Sequence, residues 1–209
     1  MNSSRDRETV AQQLTLDGIS SGSEWHLPLQ QLEAGLELIR QSPVDEGCVE
    51  LIVCRPASGT RKVLPRCELS LELGLVGDNW KQRGYRKSPD GRAHPDMQLN
   101  LMNARAIALI ARTPARWPMA GDQFYVNLDL GPANLPPGTR LAIGSAVIQV
   151  TAEPHRGCVK FAERFGQDAV RFVNSDAGKA LNLRGINAKV IQPGQVATGD
   201  VIRKLPFAN

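Results

Sequence analysis

The stretch Thr151 to Gly166, TAEPHRGCVKFAERFG, holds the residues of this chain best suited to chemistry: Cys158, with His155, Arg156 and Lys160 close by. A sulfur set among positive charges reacts as its thiolate, the form that is both nucleophile and soft metal ligand. The preceding SAVIQV (Ser145 to Val150) is β-branched, and Phe161, Ala162 and Phe165 recur afterwards at helical spacing. Cys158 is therefore expected at a strand-to-helix junction, where unpaired helix N–H groups add to the positive field. The alternative is a small buried hydrophobe, the commoner fate of a cysteine.

The chain that must position this stretch has 209 residues, enough for one sizeable core. Its 42% hydrophobic and 22% charged residues are ordinary for a globular protein, and no apolar run approaches the ~18 residues of a membrane span. A net charge of +4, spread along the chain, favours anionic ligands weakly. The N-terminal MNSSRDRETVAQQ carries both signs of charge and no apolar run, so no secretory signal is read and a cytoplasmic protein is expected. Cys48, Cys54, Cys67 and Cys158 form no CxxC pair, and His26, His94 and His155 form no HxH or HxxxH pair. Free thiols and no histidine-based metal site are expected. The sequence has no GxGxxG, P-loop or GxSxG motif.

Residues 1–23 are polar and read as a loose leader. Residues 24–46 read as an amphipathic helix, with Leu29, Leu32, Leu36 and Ile39 following Pro28 and Pro43 closing it. Residues 47–209 read as the main domain, which this helix covers. Strand signals begin with CVELIVCR and continue through KVLP and ELSLELGL, and the glycines of GLVGD, Gly74 and Gly77, suit a turn before Asp78. Trp80 to Pro95 has no apolar pattern and carries Lys81, Arg83, Arg86, Lys87 and Arg92, so it reads as a basic lid over an anionic ligand or as a solvated loop. A nucleic-acid reading would rest on these charges with Trp80 and Tyr85, and is the weakest of those weighed.

LNLMNARAIALIA is expected to be a helix with Leu101, Ala104, Ile107, Ala108 and Ala111 on one face, ended by Thr113-Pro114. QFYVNLDL reads as a strand, RLAIGSAVIQV as a hairpin, Gln167 to Val173 as helical, and the tail as two short strands around PGQ. Short strands with glycine and proline turns and three helical segments give a mainly-β fold: a closed or nearly closed β-barrel with peripheral α-helices.

In order and spacing, VELIVCRPASGTRKVLP, GLVGD, GDQFYVNLDL, LPPGTRLAIGSAVIQVTAEPHRGCVKF and RGINAKVIQPGQVATGDVI resemble the MOSC domain of molybdenum cofactor sulfurases and stand-alone bacterial proteins, over about Gly47 to Leu205. The resemblance implies a barrel of the pyruvate-kinase-β-barrel-like kind, with Cys158 at the position of the family's cysteine. It implies binding of a molybdopterin-type molybdenum cofactor, with Cys158 as thiolate ligand to molybdenum and some members reducing N-hydroxylated substrates. The alternative is a metal-free sulfur carrier that accepts and donates a persulfide on Cys158.

Arg55, Arg156 and Lys160 would meet the cofactor's phosphate or pterin edge, with His155, Asp78 and Asn127 as further polar groups around it. Each cation has solvated surface charge as its alternative, and Asp78 has a turn cap. Two departures from the family stand out. Gly157 occupies the position before the cysteine, often proline in the family, which implies a more mobile loop. The 46 residues before Gly47 are too few for the pyridoxal-phosphate domain of the sulfurases, so no pyridoxal-phosphate site is expected here. A partner desulfurase would load the sulfur, or a partner reductase supply electrons.

Overall fold

Seven strands close on themselves. The structure is a computed structural model and describes residues 12–15 and 22–206. Its strands are β1 (Gln12–Thr15), β2 (Glu46–Cys54), β3 (Thr60–Leu64), β4 (Arg66–Ser70), β5 (Gly74–Leu75), β6 (Leu99–Asn103), β7 (Phe124–Asn127), β8 (Arg140–Ile143), β9 (Ala146–Val150), β10 (Ile186–Gln192), β11 (Gly194–Ala197) and β12 (Val201–Lys204). The barrel runs β2-β12-β8-β9-β10-β6-β7 and returns to β2, where Ile52 faces Phe124 and Cys48 faces Asn127. Its pairings are antiparallel except β6–β7. β3 continues from β2 with β1 on its outer edge, so part of the expected leader is a strand; the rest, apart from residues 22 and 23, lies outside the described residues. β11, β4 and β5 make a second sheet.

Strand periodicity divides the core in two. Ile52, Leu99, Leu101, Phe124, Val126, Ile148 and Ala188 fill the barrel. Val53, Met102 and Tyr125, one residue out of phase, point outward to a second core beneath the helices. These helices are α1 (Leu29–Ala34), α2 (Leu36–Arg40), α3 (Trp80–Arg83), α4 (Ala104–Ala111), α5 (Val159–Phe165), α6 (Gln167–Asn174) and α7 (Asp176–Ala180). Phe161, Phe165 and Phe172 of α5 and α6 join Leu32, Ile39, Ile107 and Ile110 in that outer core.

Three local expectations are corrected. The single helix of residues 24–46 is two, α1 and α2, broken at Gly35, where a Cβ would come 2.5 Å from Leu109 Cδ2. LNLMN is strand β6, buried on both faces, and a continuous apolar run does not distinguish such a strand from a helix. The Asn103 side chain accepts from the N–H groups of Arg105 (2.8 Å) and Ala106 (3.1 Å) and so starts α4, whose Ala108 is exposed. The tail forms three strands, β10 to β12, instead of two.

Candidate functional site

One end of the barrel opens into a cleft of about 720 Å³. The loop after β2 (Arg55 to Gly59), Arg61 of β3, Gln82 and Arg83 of α3, and Gly121 before β7 form one side. His155, Cys158, Lys160, Phe161 and Arg164 form the other, with Arg184 before β10. Among the described residues no carboxylate lines this space, whereas arginine and lysine recur around it.

Two carboxylates lie behind the lining. Asp78 receives Arg55 in a fork, Nε to Oδ2 and Nη2 to Oδ1, both at 2.9 Å, and also accepts the N–H groups of Arg55 (2.9 Å) and Trp80 (3.0 Å). Arg55 Nη1 donates to Asn100 Oδ1 and the Gly121 carbonyl, each at 2.9 Å. Asp78 thus caps the turn and holds Arg55, and is itself buried beneath the cleft. Asp122, fully buried, has both oxygens within 3.0 Å of Arg184 Nη1, while Arg184 Nη2 donates to the Ala120 carbonyl. Burial pushes the Asp122 carboxyl up, and the Arg184 charge and hydrogen bonds oppose that. His155 Nδ1 lies 3.4 Å from Asp122 Oδ1. Burial, then the charges of Arg184 and Arg55, hold the His155 pKa well below its usual value, so the ring is neutral.

Arg61 and Arg164 are held by backbone carbonyls of Thr60, Pro118 and Met119, and neither pairs with a carboxylate among the described residues. Burial, with Arg164 and Arg55 nearby, lowers Arg61 to about 10. Both flank Gly121 (φ 91°), where a Cβ would lie 3.4 Å from Arg61 Nη2 and 3.8 Å from Arg164 Nη1. The glycine keeps the space between two guanidinium groups open.

Cys158 is exposed and precedes α5, its carbonyl accepting from the N–H groups of Phe161 (2.9 Å) and Ala162 (3.0 Å). The other thiols differ. Burial pushes Cys54 up to about 11 and Cys67 up to about 12, and burial with a 3.1 Å hydrogen bond to Glu50 pushes Cys48 up to about 11. Gly157 is clamped rather than loose: its N–H donates to Asn174 Oδ1 (3.1 Å) and its carbonyl accepts from Asn174 Nδ2 (3.2 Å). A Cβ at Gly157 would stand 2.8 Å from Val173 Cγ2, and proline there would also lose the N–H bond.

The structure thus brings together Cys158, Arg55, His155 and Lys160 from the sequence reading, and sets Asp78 behind Arg55. Arg156 faces an adjoining cleft of about 180 Å³ beside Asn174 and Lys179. Asn127 is displaced altogether: it faces Cys48 near the start of β2 and accepts from Arg105 Nε (3.0 Å), on the order of 20 Å along the strand from Arg55. Of the basic loop, Gln82 and Arg83 reach the cleft, whereas Lys81 pairs with Glu72 and Arg92 with Asp90. Trp80 is buried, and Tyr85 is half-buried and packs edge-on against His94.

Sequence reasoning missed Arg61, Arg164, Arg184 and Asp122. Asp122 and Arg184 carry the one usable signal, a charge two residues before a barrel strand, here β7 and β10.

The profile of the MOSC domain matches residues 89–203, more than half of the sequence and including Cys158 and Arg184. The chain belongs to the MOSC domain family. Among solved structures, this MOSC protein is similar to the YuaD protein from Bacillus subtilis, with 20% identity and a TM-score of 0.58 over 78% of this chain and 97% of that one. It is also similar to a hypothetical protein, with 22% identity and a TM-score of 0.52 over 81% and 71% of the two chains. For YiiM from Escherichia coli the identity is 21% and the TM-score 0.49, over 78% and 71%. At these identities the likeness to the first two is one of fold. A comparison with the curated proteins finds no match.

Among the described residues of this MOSC domain, no group of three or more His, Cys, Asp or Glu side chains could hold a metal ion, and no helix is long and apolar enough to cross a membrane. The cleft can therefore offer a metal one exposed thiol, and an anion several guanidinium groups.

Proposed function

We propose that the cleft binds a molybdopterin-type molybdenum cofactor, with Cys158 as thiolate ligand to the metal, in a cytoplasmic redox system that reduces N-hydroxylated compounds. The observation that carries this reading is the pairing of the chain's exposed thiol with a cleft whose charged lining is wholly cationic. The donor set fits such a group. A soft thiolate suits molybdenum, and guanidinium forks suit a phosphate. Arg61 and Arg164, which have no carboxylate of their own, would hold the anionic end at the space kept open by Gly121, and Lys160 would add charge at the rim. Asp78 fixes Arg55 before any ligand arrives, so that donor needs little reorganisation on binding. When bound, the cofactor would supply two-electron redox chemistry, with electrons delivered by a partner reductase.

The test is metal and pterin analysis of protein purified from a cofactor-competent host. Molybdenum and pterin are expected with the wild type, and molybdenum is expected to be lost in Cys158→Ser while part of the pterin is retained. Wild-type protein free of both overturns the reading.

A second reading is favoured by the exposure of Cys158 at the rim, where another protein's active site has access: a metal-free carrier of persulfide sulfur. Its desulfurase partner would hold the pyridoxal phosphate. Mass spectrometry after incubation with a cysteine desulfurase and cysteine should then show the gain of one sulfur, absent from Cys158→Ser.

A further inference from the structure

We infer that His155 is a specificity-determining hydrogen-bond acceptor, selecting from the anions that the cleft admits those that present an O–H or N–H group to its Nε2 atom. The inference rests on the redox reading above and narrows its substrate class to N-hydroxylated compounds that also carry a negative charge.

The tautomer follows from what surrounds the ring. Nδ1 faces Asp122 Oδ1 at 3.4 Å, and that carboxylate lies against Arg184, with Arg55 and Arg61 also acting on it. Arg184 Nη1 donates to both Asp122 oxygens and holds them as acceptors, so the contact favours a hydrogen on Nδ1 and the lone pair on Nε2. The side chain is 15% exposed and the residue lines both the main and the adjoining cleft; Nδ1 is the buried nitrogen, close to Asp122 without a formed hydrogen bond, which leaves Nε2 to the clefts. The low pKa of the ring, set by burial and by Arg184 and Arg55, keeps that lone pair free at neutral pH.

Around this lone pair the charged lining consists of donors. Arg55, Arg61, Arg83, Lys160, Arg164 and Arg184 have no acceptor atoms. Of the amides in the lining, Asn100 Oδ1 accepts from Arg55, Asn79 Oδ1 is buried, and Gln82 stands with Arg83 on the opposite side of the cleft from His155. An anion lacking a donor satisfies the guanidinium groups and leaves Nε2 desolvated and unpaired. An anion with a hydroxylamine-type O–H satisfies both.

The test uses 4-carboxybenzamidoxime and its O-methyl ether, which share a carboxylate for the cations and differ in one O–H, titrated calorimetrically into the protein as purified. Wild type is expected to bind the O–H compound about ten-fold more tightly, the worth of one hydrogen bond. His155→Phe should reduce that ratio to about one, and His155→Gln, which retains an acceptor oxygen, should restore part of it. Asp122→Asn, whose amide can donate to Nδ1 and move the ring hydrogen to Nε2, should also remove the preference. Equal wild-type affinities for the two compounds overturn the role of His155, and binding of neither overturns the ligand class. Metal and pterin analysis of the same sample reports the cofactor reading separately, so failure here is distinguishable from failure of that reading.

Discussion

Two buried arginine–aspartate pairs stand behind the cleft, and they differ in what each leaves over. In Arg55–Asp78 the guanidinium fork meets both carboxylate oxygens, and two backbone N–H groups add to them. In Arg184–Asp122 a single nitrogen, Nη1, spans both oxygens, Arg184 Nε has no partner among the described residues, and His155 approaches the same carboxylate. The first pair is a strut, with four of the five N–H groups of the Arg55 guanidinium engaged in fixing the end of β2. The second has capacity remaining, and it is directed at the ring that lines the cleft. A buried ion pair is weak evidence of net stability, so its use is better judged from what it orients.

That contrast predicts unequal losses. Asp78→Ala leaves Arg55 buried without its counter-charge, and the cost expected is about 3–5 kcal/mol. Asp122→Asn removes a charge but keeps an oxygen for Arg184 Nη1, and about 2 kcal/mol is expected. Urea unfolding of both variants measures the difference. Equal losses would break the distinction between strut and orienting pair.

The parts of this site that were legible in the sequence are those that adjoin one another in the chain. His155, Cys158 and Lys160 lie within one short segment, so their types and spacing pointed to one place. The barrel was legible too, because most of its strands are short apolar segments bounded by glycine, proline or polar turns. Arg61, Arg164 and Arg184 were not, since each is a lone cation in its own segment, and only barrel closure makes them neighbours. Asn127 failed for the related reason that a strand residue's position in the chain does not say which end of the barrel it faces. Register decides that, through the pairing of Asn127 with Cys48. β6 reads as the start of α4 in the sequence because burial on both faces removes the alternation that marks a strand.

The Arg184 side should also show itself through protons. The folded pKa of His155 lies well below its usual value, so below about pH 6.5 the unfolded chain binds a proton that the folded protein excludes. Stability contributed by the neutral ring is therefore fully present above that pH and is lost as pH falls toward the folded pKa, by up to about 1.4 kcal/mol per pH unit. Asp122 acts in the opposite sense: its raised carboxyl takes up a proton at higher pH in the folded state than in the unfolded, which opposes the loss. His155→Gln should remove the slope just below pH 6.5, and Asp78→Ala should leave it in place. Persistence of the slope in His155→Gln would assign it to other groups.

The smallest effect tests how firmly the open side is held. The Asn174 amide makes two hydrogen bonds to the Gly157 peptide and so fixes the loop between His155 and Cys158. Asn174→Ala removes both partners of a half-buried peptide that water can still reach, so the loss expected is about 1 kcal/mol. The functional consequence should exceed the thermodynamic one, because the loop that is freed carries both the acceptor and the thiol. In the calorimetric titration, Asn174→Ala should weaken the amidoxime while leaving its O-methyl ether nearly unchanged, since the ether makes no bond to His155. Equal weakening of the two compounds would mean that Asn174 supports the cleft as a whole. Selective weakening would mean that the clamp on Gly157 aims the ring that Asp122 orients.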